Sequence, residues 1–286
     1  MIVANHTSYI DPVIIKAFFD KYVNKIVFYL AKKEAYNNFF KRKFFEASGT
    51  IPVDRQKKGR EPITAALLAA IYKVAGVDNM MFMDIHSEKI VGAFNVLRIN
   101  TDNLRGSVVL IDEFKKTHVD ELENLVVLSP DVGGGGIARY YSRHLEADVA
   151  IGDNVRNYQK KFDDKQGVEH ITIMGDVKDK NVLILDDIID TASTIIKVTK
   201  TASEKGARKI YLLATHAILS GSAVENLNKL YKAGIIQELI TTDTITRSKT
   251  FKNENPWYKE ISVATMFAET VYNMNFGRPV HGVYED

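Results

Sequence analysis

Cysteine is absent from the 286 residues. That excludes a disulfide framework and thiolate chemistry, and it is the usage expected of a reducing, cytoplasmic compartment. Long apolar runs are missing too: IVFYLA at 26–31, the longest near the start, is far shorter than the roughly 20 residues a membrane-crossing helix needs. No anchor or signal peptide is expected. No internal repeat or low-complexity segment stands out. What is there is ordinary for a globular protein, with 45% hydrophobic and 26% charged residues. The length suits two domains of roughly 100 to 200 residues each.

The net charge of +2 conceals an uneven distribution. Residues 1–60 carry 12 Lys/Arg against 5 Asp/Glu, or +7, which leaves −5 for residues 61–286. A basic stretch of this kind is compatible with an anionic membrane surface or with nucleic acid. Its plainer reading is a solvated lysine-rich face, so neither a nucleic-acid nor a membrane partner is expected.

From about Glu61 onward, short β-branched runs alternate with longer amphipathic stretches, the pattern of an α/β fold with a mainly parallel sheet flanked by helices. MMFMDI (80–85), NLVVLS (124–129), DVAIG (148–152), NVLILDD (181–187) and KIYLLAT (209–215) read as strands. PITAALLAAIYKVAG (62–76), the stretch after Gly136, and ASTIIKVTKTASEKG (192–206) read as helices, the last closed by Gly206. The tetraglycine 133–136 follows a strand and precedes a helix, so it reads as a loop rather than a linker.

The most informative stretch is NVLILDDIIDTAST at 181–194. An apolar strand runs into two carboxylates, Asp186 and Asp187, and then into a short turn that opens a helix. Backbone N–H groups at that helix start, with the hydroxyls of Thr191, Ser193 and Thr194, suit a 5-phosphate favoured by the helix dipole. Asp186, Asp187 and Asp190 are placed to accept from ribose hydroxyls. A lone Asp-Thr pair would read as a strand end with a threonine N-cap; the complete spacing goes beyond that.

This loop resembles the phosphoribosyl motif of phosphoribosyltransferases and ribose-phosphate pyrophosphokinases, and other segments select the second family. SPDVGGGGIAR (129–139) is similar to the family segment that sets a metal-binding Asp before glycines, which maps to Asp131. MDIHSEKIVGAF (83–94) resembles its Asp-x-His segment and maps a metal ligand to His86. KGREPITA (58–65) and ATHAILSG (214–221) match as well, and the five segments keep the family's order over about residues 54–286. Each has a bland reading alone: a Pro-Asp pair is usually a turn, and a lone His near a strand end is usually structural.

The resemblance implies phosphoribosyltransferase-type (type I) units and a substrate site at Asp186, Asp187, Asp190, Thr191, Ala192, Ser193 and Thr194. It also implies Mg²⁺ as cofactor, ATP as co-substrate, ribose 5-phosphate as acceptor and a homo-oligomer built from dimers. The implied reaction is transfer of the diphosphoryl group of ATP to ribose 5-phosphate, giving phosphoribosyl diphosphate and AMP. Two departures stand out. After DVAIG the family carries a Lys and, two residues on, an Arg; the matching catalytic positions here are Asn154 and Arg156. Ser193 stands where a Gly is usual, adding a side chain where backbone is expected to approach phosphate.

Residues 1–55 resemble a different family, the opening of a 1-acylglycerol-3-phosphate acyltransferase: NHTSYID (5–11), LAKKE (30–34) and GTIPVDR (49–55). There His6, oriented by Asp11, has the logic of a general base for an acceptor hydroxyl. The Glu-Gly-Thr-Arg type segment expected to bind that family's substrate phosphate does not follow Arg55. The expected organisation is a chimera: an acyltransferase-like fragment at 1–55, the remainder of an N-terminal pyrophosphokinase domain at 56–122, and a C-terminal phosphoribosyltransferase-type domain at 123–286. The N-terminal unit, with its acidic and aromatic contacts to ATP, is thus incomplete or replaced, through a fusion, a recombined fragment or an assembly artefact. Beside the diphosphokinase stand three alternatives: a non-catalytic ribose-phosphate-binding or regulatory subunit, an acyltransferase, and a nucleobase phosphoribosyltransferase. The segments holding Asp131 and His86 argue against the last.

Overall fold

The computed structural model describes residues 29–32, 50–53, 62–155 and 170–280. They belong to two units that divide between Asn103 and Leu104. In the first, β1 (Tyr29–Lys32) and β2 (Thr50–Val53) pair in parallel with Leu30 opposite Ile51. Helices α1 (Pro62–Val74) and α2 (Lys89–Val96) accompany the paired strands β3 (Asn79–Met83) and β4 (Asn100–Leu104). Their small core is Ala69, Met80, Phe94 and Ile99, and Phe82 meets Phe94 edge-on with ring centroids 5.3 Å apart.

The second unit opens with helix α3 (Gly106–Thr117), which buries Leu110, Ile111 and Phe114 against the large sheet. The sequence reading draws its own boundary five residues beyond this helix, at 122. Strands β5 (Leu125–Ser129), β6 (Asp148–Val155), β7 (His170–Met174), β8 (Asn181–Ile189), β9 (Lys209–Ala217), β10 (Glu238–Thr242) and β11 (Tyr258–Ile261) form a seven-stranded sheet in the order 11-10-9-8-5-6-7. Every pairing is parallel except β6 with β7. Helices α4 (Gly135–Leu145), α5 (Ser193–Glu204) and α6 (Ala223–Lys232) supply crossovers, with α7 (Lys249–Glu254) and α8 (Ala264–Asn275) after β10 and β11. Among the described residues no helix is long and apolar enough to cross a membrane.

The period of two in each strand sorts its side chains between two cores. Val126, Leu128, Val182, Ile184, Ile210 and Leu212 face one core, shared with Ile195, Val198 and Ala202 of α5 and Leu227 and Leu230 of α6. Leu125, Val127, Leu183, Leu185, Tyr211 and Leu213 face the other, shared with α3 and with Ala138, Tyr141 and Leu145 of α4. Because both faces are covered, the central strands are apolar throughout, which is why they read as unbroken hydrophobic runs. Helix α5 stops where the sequence signals it: Gly206 adopts φ +88° and its N–H donates to Ser203 O at 2.9 Å. The antiparallel edge strand β7, the opposite edge strand β11 and its neighbour β10 are short, at five, four and five residues, and carry little local pattern to mark them.

The single tryptophan anchors the far edge of the sheet. Trp257 is fully buried, and its indole N–H donates to Asn228 Oδ1 at 2.8 Å. Asn228 Nδ2 donates onward to Asn255 Oδ1 at 2.9 Å, and Asn255 Nδ2 to Phe251 O at 2.8 Å. Asn228→Ala strands the buried indole donor and is expected to cost about 1–3 kcal/mol. Urea unfolding followed by Trp257 fluorescence measures it, and an unchanged midpoint refutes it.

Candidate functional site

The order of the sheet creates a natural crevice. From β5 the chain moves outward to β6, whereas β8 returns to the other side of β5, so the ends of β5 and β8 lie side by side where the connections diverge. In open parallel sheets ligands bind outside the carboxyl ends of the strands at such a switch point. Both sequence-marked loops emerge there, the Asp131 glycine loop from β5 and the acidic turn from β8.

The β5 loop is built around its own backbone. Ser129, buried at the strand end, donates through Oγ to Asp131 O at 2.6 Å, and Asp131 Oδ1 accepts the Gly134 N–H at 2.9 Å. Asp131 itself is exposed. Two glycines permit this tight turn. A Cβ on Gly134 would fall 2.6 Å from Ser129 Oγ, and one on Gly152 of β6 would fall 2.6 Å from Pro130 O. Only hydrogen fits against that carbonyl, so Gly152 is part of the site although no charge or hydroxyl marks it. Its visible signal is a glycine in mid-strand, the fifth of the eight residues of β6.

At the end of β8, Asp186 and Asp187 are half-buried. Asp186 Oδ1 accepts the Asp187 N–H and Asp187 Oδ1 accepts the Ile188 N–H, each at 2.9 Å. Burial, then the adjacent Asp187 carboxylate, pushes the Asp186 carboxyl up to about 7. Asp190, Thr191, Ser193 and Thr194 are exposed around the turn, and Ala192 is buried beneath it. Thr191 Oγ1 donates to Ser193 Oγ at 3.3 Å. The left-handed residue is Ala192, at φ +59°; Ser193 is the first residue of α5, outside the positive-φ set. The side chain in place of the usual Gly therefore sits on helical backbone, and the strain of the turn falls on an alanine methyl.

The segment after β9 braces this turn from the side. Leu219 N–H donates to Ile189 O at 3.0 Å, Ser220 N–H to Asp190 O at 2.9 Å, and Ser220 Oγ to Asp190 Oδ1. Leu219 also has positive φ, at +49°. Just ahead of it, Arg247 Nη2 donates to Ala217 O at 2.7 Å and also to Ile218 O. ATHAILSG at 214–221 marks this segment in the sequence, but no local pattern there points to Ser220.

The remaining candidates fall on other segments of the chain. His86 is exposed beyond β3 in the first unit, after Asp84 at φ +39°, where Ile85 N–H donates to Asn103 Oδ1 at 3.2 Å. Asn154 is the penultimate residue of β6, opposite Ile171 of β7. Arg156, His6 and Asp11 lie outside the described residues. Among the described residues no three His, Asp or Glu side chains converge into a group that could hold a metal ion by themselves.

Two expectations follow. A carboxyl whose folded pKa is raised penalises the folded state when ionised, so this cost is small near the ordinary value of 3.8, grows as pH rises, and is complete above about 7. Asp186→Asn should therefore raise the melting temperature most at pH 8, less at pH 5 and little near pH 4; an equal change at pH 8 and pH 4 in thermal denaturation would refute this. Gly152→Ala must separate β6 from the β5 turn and should cost roughly 1–3 kcal/mol. Chemical denaturation showing wild-type stability would contradict that steric reading.

Comparison with known proteins bears on the same segments. Residues 146–281 match a family model described as a phosphoribosyl synthetase-associated domain, and residues 1–82 match one described as acyltransferase, in agreement with a chain of two origins. The chain is 38% identical over 231 residues to a ribose-phosphate pyrophosphokinase of Campylobacter jejuni, covering 81% of this chain and 68% of that one. It is 39% identical over 219 residues to that of Clostridium tetani, covering 76% of this chain and 63% of the relative. The chain thus spans about two thirds of the length of such relatives. A crystal structure of phosphoribosylpyrophosphate synthetase from Mycobacterium smegmatis superimposes with a TM-score of 0.65 at 26% identity, covering 87% of this chain and 82% of that one.

Proposed function

This chain belongs to the ribose-phosphate pyrophosphokinase family, and we propose that it acts as a ribose-phosphate diphosphokinase, transferring the diphosphoryl group of ATP to ribose 5-phosphate in nucleotide biosynthesis. The observation that carries this is the pairing of two loops at one switch point: the acidic turn of β8, ending in a helix start, beside the glycine loop of β5. In the proposed reaction the 1-hydroxyl oxygen of the sugar attacks the β-phosphorus of ATP. The bond from that phosphorus to the α,β-bridging oxygen breaks, AMP leaves with the oxygen, and the hydroxyl proton is released.

Each part of the chain has a task in that scheme. N–H groups at the start of α5 and the hydroxyls of Thr191, Ser193 and Thr194 hold the 5-phosphate, where the helix dipole favours an anion. Asp186, Asp187 and Asp190 accept from the ribose hydroxyls. The exposed carboxylate of Asp131 is a hard oxygen donor of the kind Mg²⁺ takes, since that ion is usually held by one or two carboxylates plus substrate phosphates. Bound there, Mg²⁺ supplies charge neutralisation for the transferring group. His86 is proposed as a further metal or phosphate contact. We place the protein in the cytoplasm as a homo-oligomer built from dimers.

Asn154, where the family carries a lysine, favours a second reading: a ribose-phosphate-binding subunit with weak or no turnover. An amide cannot stabilise developing phosphoryl charge as an ammonium does. Asn154→Lys is expected to raise the rate by about 10² to 10³. Incubation with Mg·ATP and ribose 5-phosphate, with AMP and phosphoribosyl diphosphate as readouts, separates the two readings. No AMP above background from either protein overturns the enzyme, and binding of ribose 5-phosphate without AMP supports the subunit. The acyltransferase match at 1–82 supports testing the same protein for acyl transfer from a thioester, with His6 and Asp11 as the residues at stake.

A further inference from the structure

The acidic turn of β8 is braced by three hydrogen bonds from the segment that follows β9, and they are of two kinds. Leu219 N–H to Ile189 O and Ser220 N–H to Asp190 O are main-chain bonds that hold the path of the turn. The third runs from Ser220 Oγ to the carboxylate oxygen Oδ1 of Asp190, between residues 30 positions apart. Asp190 is exposed at the mouth of the turn, so packing does not fix its rotamer. A hydroxyl donating to an ionised carboxylate is among the stronger and shorter hydrogen bonds, and it sets the plane of the acceptor.

The donor is itself held in place. Arg247 donates to the carbonyls of Ala217 and Ile218, immediately before the brace, and its own N–H donates to Glu260 Oε2 at 2.9 Å. Lys252 pairs with Glu260 Oε1 at 2.7 Å, so the support reaches back to β11. Leu219 is kept at φ +49°, a conformation costly for a leucine unless its surroundings impose it.

We propose that Ser220 is a positioning residue for the sugar-phosphate site: its hydroxyl fixes the Asp190 carboxylate by one oxygen and leaves the other directed to a sugar hydroxyl. This rests on the ribose 5-phosphate reading above. Ser220→Ala deletes that one bond, while both main-chain bonds survive, so the turn keeps its path and only the carboxylate is released to rotate.

Isothermal titration of the full chain with ribose 5-phosphate tests this. Ser220→Ala should raise Kd by about 3- to 30-fold with an unchanged melting temperature, as expected for loss of one charge-assisted hydrogen bond at a partly exposed site. Ser220→Thr, which keeps the hydroxyl, should bind within about 3-fold of the unmodified chain. In an Asp190→Asn background Ser220→Ala should add little, because the two side chains act through one contact. Equal binding by Ser220→Ala and the unmodified chain overturns the inference, as does a full additional loss in the Asp190→Asn background. Failure of the unmodified chain to bind ribose 5-phosphate at all is a different result: it overturns the proposed substrate, and the role of Ser220 falls with it.

Discussion

The parallel pairing of β5 with β8 is the constraint on which the rest depends. Leu125 lies opposite Asn181 and Leu128 opposite Ile184, with both faces of both strands buried between helical layers. A slip of one residue would exchange the two faces and put every apolar side chain against the wrong helices, so the register is held by the whole core. Once it is held, Ser129 falls level with Leu185, so Asp186 and Asp187 lie just beyond the end of β5 at the carboxyl end of the sheet. The glycine loop and the acidic turn then face one crevice because they have nowhere else to emerge.

The site built on that edge concentrates local strain. Ala192 and Leu219 both occupy left-handed backbone, and Asp186 and Asp187 are neighbouring carboxylates in a half-buried setting. Each arrangement is unfavourable in isolation, and each is offset by hydrogen bonding: N–H donors to both carboxylates and main-chain bonds from Leu219 and Ser220 across the turn. A ligand with several hydroxyls and a phosphate matches what such a site exposes, namely acceptors on one side and helix-terminal donors on the other. The cost of assembling these groups is carried by the fold before any ligand arrives, and this is what preorganisation means physically.

Two origins meet in this chain, and the separation is visible in charge as well as in family resemblance. The basic excess is confined to residues 1–60, within the span that matches an acyltransferase, while the phosphoribosyl portion is acidic overall. The proposed ribose-phosphate site draws on the acidic turn of β8, its hydroxyls and the glycine loop of β5. Asn154, the position where the sequence resemblance implies a lysine, lies next to Val155 at the end of β6.

Much of the fold was legible from local pattern. The runs at 124–129, 148–152, 181–187 and 209–215 read as strands because burial on both faces makes them apolar throughout, and Gly206 marks the end of α5 because only glycine takes φ +88° without cost. The acidic turn was legible as well, since Asp186, Asp187 and the hydroxyls of 191–194 lie within one short stretch. The residues by themselves therefore determined where the acidic turn and the glycine loop lie along the chain. Only the tertiary structure decided that β8 returns beside β5, that Gly152 must lack a Cβ against Pro130 O, that burial lifts the Asp186 carboxyl to about 7, and that Ser220 reaches Asp190. The physical reason is common to all four: each depends on which distant segments become neighbours, and that is fixed by packing two helical layers onto one sheet, a condition no local spacing of residues can express.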